Sequence, residues 1–112
     1  MVRTDIGMTN GKSAAQAGHA FLAAFLKARI SVRDEYVADE GGTKVVLVSP
    51  DEATIWQAYK RATDANIPCH LWTEVMDRNI GLGNELVVTA LGIGPVERCK
   101  AKPIVGSLKL MP

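Results

Sequence analysis

The sequence predicts an α/β fold: one domain in which helices cover both faces of a mainly parallel sheet. Three observations predict it. Segments of strand and helix period follow one another as β-α-β-α-β-β-α, the alternation typical of parallel sheets. Residues 44–49 form a continuous, β-branched run of the kind buried in a sheet. Residues 10–30 hold the longest stretch of helical period. The last strand follows a loop and no helix, so it is expected antiparallel to its predecessor. At 112 residues, 47% of them apolar, residues 1–112 suffice for one domain with a real core.

Residues 1–4 read as the end of a strand in which Val2 is the one apolar β-former. So short a strand makes a poor central one. Turn formers in residues 5–11 lead into the first helix, with Asn10 as N-cap. On that helix Ala14, Ala15, Gly18, Phe21, Leu22, Phe25 and Leu26 gather on one side, the expected core face. Gly18 costs a helix about 1 kcal/mol relative to Ala and suits a close approach by another backbone. Residues 31–43 are polar and acidic and read as an exposed loop with at most a short helical turn. Ser49 as N-cap, Pro50 at the first helical position and Glu52 behind them open the second helix. Trp56 is expected in the core, and the helix is expected to end near Asn66. Residues 67–73 read as a strand whose start Pro68 places at an edge. Residues 74–84 read as a loop and 85–93 as a strand with Thr89 in its middle. Gly94 and Pro95 stop it, and residues 96–102 form a short helical piece that Pro103 breaks.

Beside the apolar face of the first helix, Lys12, Gln16 and His19 recur at i, i+4 and i+7 and form a second stripe. Ala20 and Ala23 flank it and are too small to cover it. Lys12 falls in the first turn, where the helix dipole disfavours a cation but where free N–H groups suit an anion. Each residue also has an ordinary reading. Ser13 and Gln16 fit a capping box, a lone helical histidine commonly packs, and a lone lysine is commonly solvated. Arg98, Lys100, Lys102 and Lys109 form a basic cluster that suits either a solvated surface or phosphate binding. A net charge of +1 gives no global field for nucleic acid, so such binding needs a local patch. Cys69 and Cys99 make no disulfide framework. His19 and His70 have no partner at ligand spacing, so no metal site is expected. No glycine-rich nucleotide loop follows a strand, and Ser13 and His19 lie too far round the helix to couple. There is no signal-peptide pattern and no apolar run near the ~18 residues of a membrane span, so a cytoplasmic protein is expected.

Residues 11–20, G-K-S-A-A-Q-A-G-H-A, resemble the G-K-x-A-A-Q-x-x-H-A signature of the type II peptidyl-tRNA hydrolases, the archaeal and eukaryotic type. Residues 2–8 resemble the family's V-R-x-D-L-x-M lead-in. Residues 44–48 and 50–52 resemble its second strand and second helix start. Residues 89–95 resemble its T-x-x-G-I-G-P and residues 106–110 its G-x-L-K-L ending. The resemblance covers nearly the whole chain in order. It implies a single three-layer α/β/α domain on a four-stranded mixed β-sheet, often dimeric. It further implies hydrolysis of the ester joining a peptide to the 3′ end of tRNA, without metal or cofactor, so that peptidyl-tRNA is the expected partner.

The chain departs from the family in two places. Only Met1 precedes Val2, where the family has several apolar residues, so the first strand is expected to be clipped. After the third strand the family's D-x-G-x-T-Q is replaced by a longer segment, residues 74–81. Glu74 falls nearest the family's aspartate, Asp77 is the other candidate, and T-Q has no counterpart. The expected mechanism has Lys12 meeting a tRNA phosphate or the oxyanion of the attacked ester. Glu74 or Asp77 orients or deprotonates water, Gln16 and Thr89 hold the water or carbonyl, and His19 orders the site or acts as base. Lys12, Arg98, Lys100, Lys102 and Lys109 are expected to meet tRNA. Two other readings stay open: a diverged, inactive member that binds RNA or a protein partner, and a small-molecule-binding α/β domain.

Overall fold

The computed structural model describes residues 1–39, 41–77 and 84–112, the side chains of Met76, Asp77 and Asn84 excepted. Four strands, β1 (Val2–Arg3), β2 (Val48–Ser49), β3 (Cys69–Asp77) and β4 (Asn84–Ile93), form one sheet in the order β2-β1-β4-β3. Helix α1 (Asn10–Lys27) covers one face, and α2 (Ile30–Ala38) follows it in the chain. Helices α3 (Glu52–Asp64) and α4 (Arg98–Val105) cover the other. The α/β/α layering and the four-stranded mixed sheet are those the family resemblance implies, while the mainly parallel sheet expected from the β-α alternation is not found. β1 and β2 pair parallel, while β4 runs antiparallel to both β1 and β3. The cause is β4, which turns back from β3 and inserts between β3 and β1. The expectation for the last two strands holds. The short β1 lies inside the sheet and not at its edge.

The core has two halves. On one side Ile55, Ala58 and Ala62 of α3 and Ile104 of α4 pack against Val88 and Leu91. On the other, Ala20 of α1 packs against Val2 and Ala90. The α1 side is built from small residues because the helix lies almost on the sheet. A Cβ at Gly92 would collide with the carbonyl group of Ala20. The buried face of α1 is therefore Ser13, Gln16, Ala20 and Ala24, while Leu22 and Leu26 are more than half exposed. This corrects the expected core face, which favoured the largest side chains over those that permit the closest approach. It also moves the glycine contact: a Cβ at Gly18 would meet nothing within 4 Å.

Other expectations shift locally. Thr9 caps α1, accepting from the Lys12 N–H at 3.1 Å, and Asn10 is already helical. Asp51 caps α3 in place of Ser49, and its carboxylate accepts from the Thr54 N–H at 2.7 Å. Trp56 is 47% exposed, because α3 turns Ile55, Ala58 and Ala62 to the sheet. That helix ends at Asp64, two residues before Asn66, which takes a positive φ. Part of the expected loop 31–43 is helix α2, held by contacts rather than periodicity. Arg33 donates to the terminal α1 carbonyls of Leu26 and Ala28, both at 2.8 Å, and Tyr36 packs on Phe21 and Phe25. Helix α4 runs through Pro103 to Val105; the proline gives up only its own bond to the carbonyl four residues back.

The run at 44–49 forms a strand only at Val48–Ser49, and Val45 is 56% exposed. It pairs with β1 at Val2↔Val48 and Arg3↔Ser49. On its outer edge Leu47 forms an antiparallel bridge to Leu110.

Candidate active site

The site is assembled where the N-terminal half of α1 crosses β3 and β4. Gln16 enters it from the small-residue face of the helix, only 4% exposed. Glu74 belongs to β3 and not to a loop, because that strand continues to Asp77. Trp72 lies two residues before Glu74, hence on the same sheet face. Thr89 comes from β4 by way of a β-bulge. The register passes from Thr73–Val88 to Trp72–Ala90, which leaves Thr89 as the extra residue. The bulge turns Thr89 towards α1 beside Ala90, while Val88 and Leu91 both join the core under α3.

These residues form one hydrogen-bonded chain. The fully buried Thr89 hydroxyl donates to Gln16 Oε1 at 2.6 Å. Gln16 Nε2 donates to Glu74 Oε2 at 3.2 Å, and the indole N–H of Trp72 donates to the same oxygen at 3.2 Å. His19, exposed on the next turn of α1, stacks on Trp72 with ring centroids 4.7 Å apart and planes 16° from parallel. The two donors hold the Glu74 carboxyl below its ordinary 4.5, Trp72 most and Gln16 next, with the charges of Lys12 and His19 adding to them. Glu74 Oε1 has no hydrogen-bond partner among the described residues.

Of the residues expected at a site, the structure thus joins Gln16, Glu74 and Thr89 directly and His19 through a stack. Lys12 is exposed at the start of α1 and acts on Glu74 through its charge, without an ion pair among the described residues. Thr89 sits behind Gln16, out of reach of solvent, so it orients the amide and does not itself hold a water. The side chain of Asp77 lies outside the described residues, as do residues 78–83 of the expected loop. Arg98, Lys100, Lys102 and Lys109 are all exposed but lie on α4 and the C-terminal segment, so the sheet separates α4 from α1. Trp72 was missing from the expected set. The period-2 rule pointed to it, since any partner of Glu74 on β3 shares its face with residue 72.

A family profile described as "Peptidyl-tRNA hydrolase PTH2" matches residues 1–111. The chain belongs to the PTH2 family. It is 34% identical to the peptidyl-tRNA hydrolase of Methanocaldococcus jannaschii, over 99% of this chain and 96% of that protein. It is 35% identical to that of Methanococcus maripaludis strain C6, over 99% of this chain and 95% of the relative. Peptidyl-tRNA hydrolase 2 of Saccharomyces cerevisiae is 31% identical over 98% of this chain and 55% of its own length. Within this PTH2 chain, the Glu74 carboxylate is hydrogen-bonded to the Gln16 amide and the Trp72 indole, and the His19 imidazole stacks on that indole. The charge of Lys12, from the start of α1, adds to the lowering of the Glu74 carboxyl.

Proposed function

We infer that the chain is a peptidyl-tRNA hydrolase, cleaving the ester between a peptide and the 3′ end of tRNA, and that α1, β3 and β4 hold its active site. The observation that carries the reading is the Glu74 carboxylate, fixed by Gln16 and Trp72 beside Lys12 at the start of α1. Water bound to the free Glu74 Oε1 is oriented for attack on the ester carbonyl and passes its proton towards that carboxylate. The carbonyl oxygen gains negative charge as the tetrahedral intermediate forms, and the Lys12 ammonium meets it. As the intermediate collapses, the bond to the ribose oxygen breaks and that oxygen takes the proton back from Glu74, releasing the peptide acid and the tRNA with its ribose hydroxyl. Gln16 and Thr89 are positioning residues that fix the carboxylate, and His19 orders the site over Trp72. Lys12 and the basic residues Arg98, Lys100, Lys102 and Lys109 meet tRNA phosphates, so binding weakens as salt rises. We further place the activity in the cytoplasm, in a homodimer of one-domain chains.

The test is release of the blocked amino acid from N-blocked aminoacyl-tRNA. Lys12→Ala is expected to lower turnover about 100-fold or more, the scale of losing one oxyanion partner. The fold is expected to survive, because an exposed cation is being removed from the disfavoured end of a helix. A turnover near that of the parent removes Lys12 from the mechanism. Salt-sensitive tRNA binding with no release by the parent chain replaces the hydrolase reading with a binding one.

A further inference from the structure

Helix α1 and β3 run in opposite directions and stay in step well past the Gln16–Glu74 bond. His19 stacks on Trp72, and beyond it the Lys27 ammonium donates to the Cys69 carbonyl at 3.3 Å. From Gln16 to Lys27 the helix rises about 16 Å, and from Glu74 back to Cys69 the strand covers about 16 Å. The two rows frame a surface track that leads from Glu74 to the far end of α1. Ala23, between His19 and Lys27 on the same flank, is too small to close it. We propose that this track takes the single-stranded 3′ end of tRNA: the terminal base stacks on the outer face of His19, over Trp72, and Lys27 holds a phosphate on the 5′ side of that base. The choice of tRNA as the RNA rests on the hydrolase reading.

The stack is built from below. Trp72 is half-buried and packs on the cluster of Val2, Ala20 and Ala90. Its indole supports one face of the exposed His19 ring. The other face of that imidazole meets no ring among the described residues and is open to a third. Every base has a π-face, so a platform of this kind holds single-stranded RNA without reading its sequence. The ester is carried by the ribose of the terminal nucleotide, so the terminal base lies within one nucleotide of Glu74. Trp72 donates to Glu74 from the same stack.

The far end of the track is cationic. Lys27 is exposed and forms no ion pair among the described residues. Its bond to Cys69 uses one of three ammonium donors. His70 shares the sheet face of Trp72, with ring centroids 6.1 Å apart. Burial first, and the charge of Lys27 second, hold its ring below the ordinary 6.5. His70 Nδ1 is buried and has no partner among the described residues. An orphaned buried N–H is rarer than an orphaned acceptor, so the ring proton belongs on Nε2, a donor for a ribose or phosphate oxygen beside Lys27. A peptide leaving Glu74 along the track offers Lys27 no fixed negative charge, whereas an RNA strand repeats one at every nucleotide.

The probes are 5′-radiolabelled, deacylated tRNA and the same tRNA trimmed of its last three nucleotides, each titrated with the full chain by filter binding. The parent is expected to bind intact tRNA about 100-fold tighter than trimmed tRNA, the product of one stacked base and one phosphate contact at about tenfold each. Lys27→Ala and His19→Ala are each expected to lose about tenfold with intact tRNA. Both should bind trimmed tRNA as the parent does, which also shows that they are folded. Only Lys27→Ala should flatten the salt dependence for intact tRNA, by about 0.7 in the slope of log affinity against log salt. Equal affinity of the parent for the two RNAs overturns the proposal, as does either variant with undiminished affinity for intact tRNA or an equal loss with both. Release of the blocked amino acid from N-blocked aminoacyl-tRNA is measured apart. Release by a parent that binds both RNAs alike keeps the hydrolase reading and overturns the track. Preference for the intact 3′ end without release keeps the track and overturns the hydrolase reading.

Discussion

At the scale of single residues, the proposed mechanism needs Glu74 ionised, and Trp72 contributes most to holding its carboxyl below the usual range. A carboxyl whose folded value is depressed is charged above that value and loses its charge, with any stability or activity tied to it, as pH falls through it. Trp72→Phe keeps a ring for His19 to stack on and removes the indole donor. The Glu74 value then moves up towards 4.5, so the acid limb of kcat/KM is expected at higher pH in the variant. A pH–rate profile of both proteins checks this, and an unmoved acid limb takes Glu74 out of the catalytic step. The sequence made Lys12, Gln16 and His19 legible as a stripe, because helical spacing alone puts them together. It could not place Thr89. Strict alternation along β4 sends Thr89 to the same face as Leu91, and only the bulge at Trp72–Thr73 turns it towards Gln16. A bulge is one residue of unpaired backbone and leaves no periodic signal.

Among the elements, α1 shows where periodicity misleads. Its apolar stripe is real, yet the helix buries the narrow face of Ser13, Gln16, Ala20 and Ala24. Hydrophobic period reports which side chains prefer to leave water, and says nothing of how near two backbones must come. Gly92 sets that distance, because its missing Cβ gives room to the Ala20 carbonyl. Gly92→Ala is therefore expected to lift α1 off β4. The obstacle is backbone and cannot rotate away, so the cost is at the upper end of overpacking, about 3 kcal/mol. The drop in Tm is expected to be on the order of 10 °C. Gln16 rides on the same helix, so its bond to Glu74 loosens with it, and turnover should fall before the protein melts. Gly18→Ala is the control: its Cβ meets nothing, so the substitution is expected to be neutral or stabilising. Equal Tm values for the two variants would show that α1 does not rest on Gly92. The α2 segment was illegible for a different reason. Its helix is fixed by Arg33 on the α1 carbonyls and Tyr36 on two phenylalanines, contacts that exist only after folding.

Over the whole molecule, a two-residue central strand has to hold two halves together, and Arg3 supplies what so few ladder bonds cannot. Its side chain is buried between the layers. Nε and Nη2 donate to the two Asp5 oxygens at 3.0 and 2.8 Å. Nη1 donates to the Val88 carbonyl of β4 at 3.0 Å and lies 3.5 Å from Glu52 at the start of α3. One guanidinium therefore ties β1 to β4 and to the opposite helical layer. Arg3→Met keeps the volume but leaves the buried Val88 carbonyl without that donor, and is expected to cost about 1–3 kcal/mol. Asp5→Asn retains one acceptor and is expected to cost less. Its effect also depends on pH. Arg3 holds the Asp5 carboxyl below its usual 3.8, so the ion pair stabilises the fold above that value and its contribution is lost as pH falls through the depressed one. The stability gap between parent and Asp5→Asn, read from urea midpoints, is expected to be widest near neutrality and to narrow on acidification. The Arg3→Met gap should also narrow but keep a larger residue at low pH, because the lost bond to the Val88 carbonyl does not titrate. Two gaps that stay constant with pH would show that Arg3 works by packing alone.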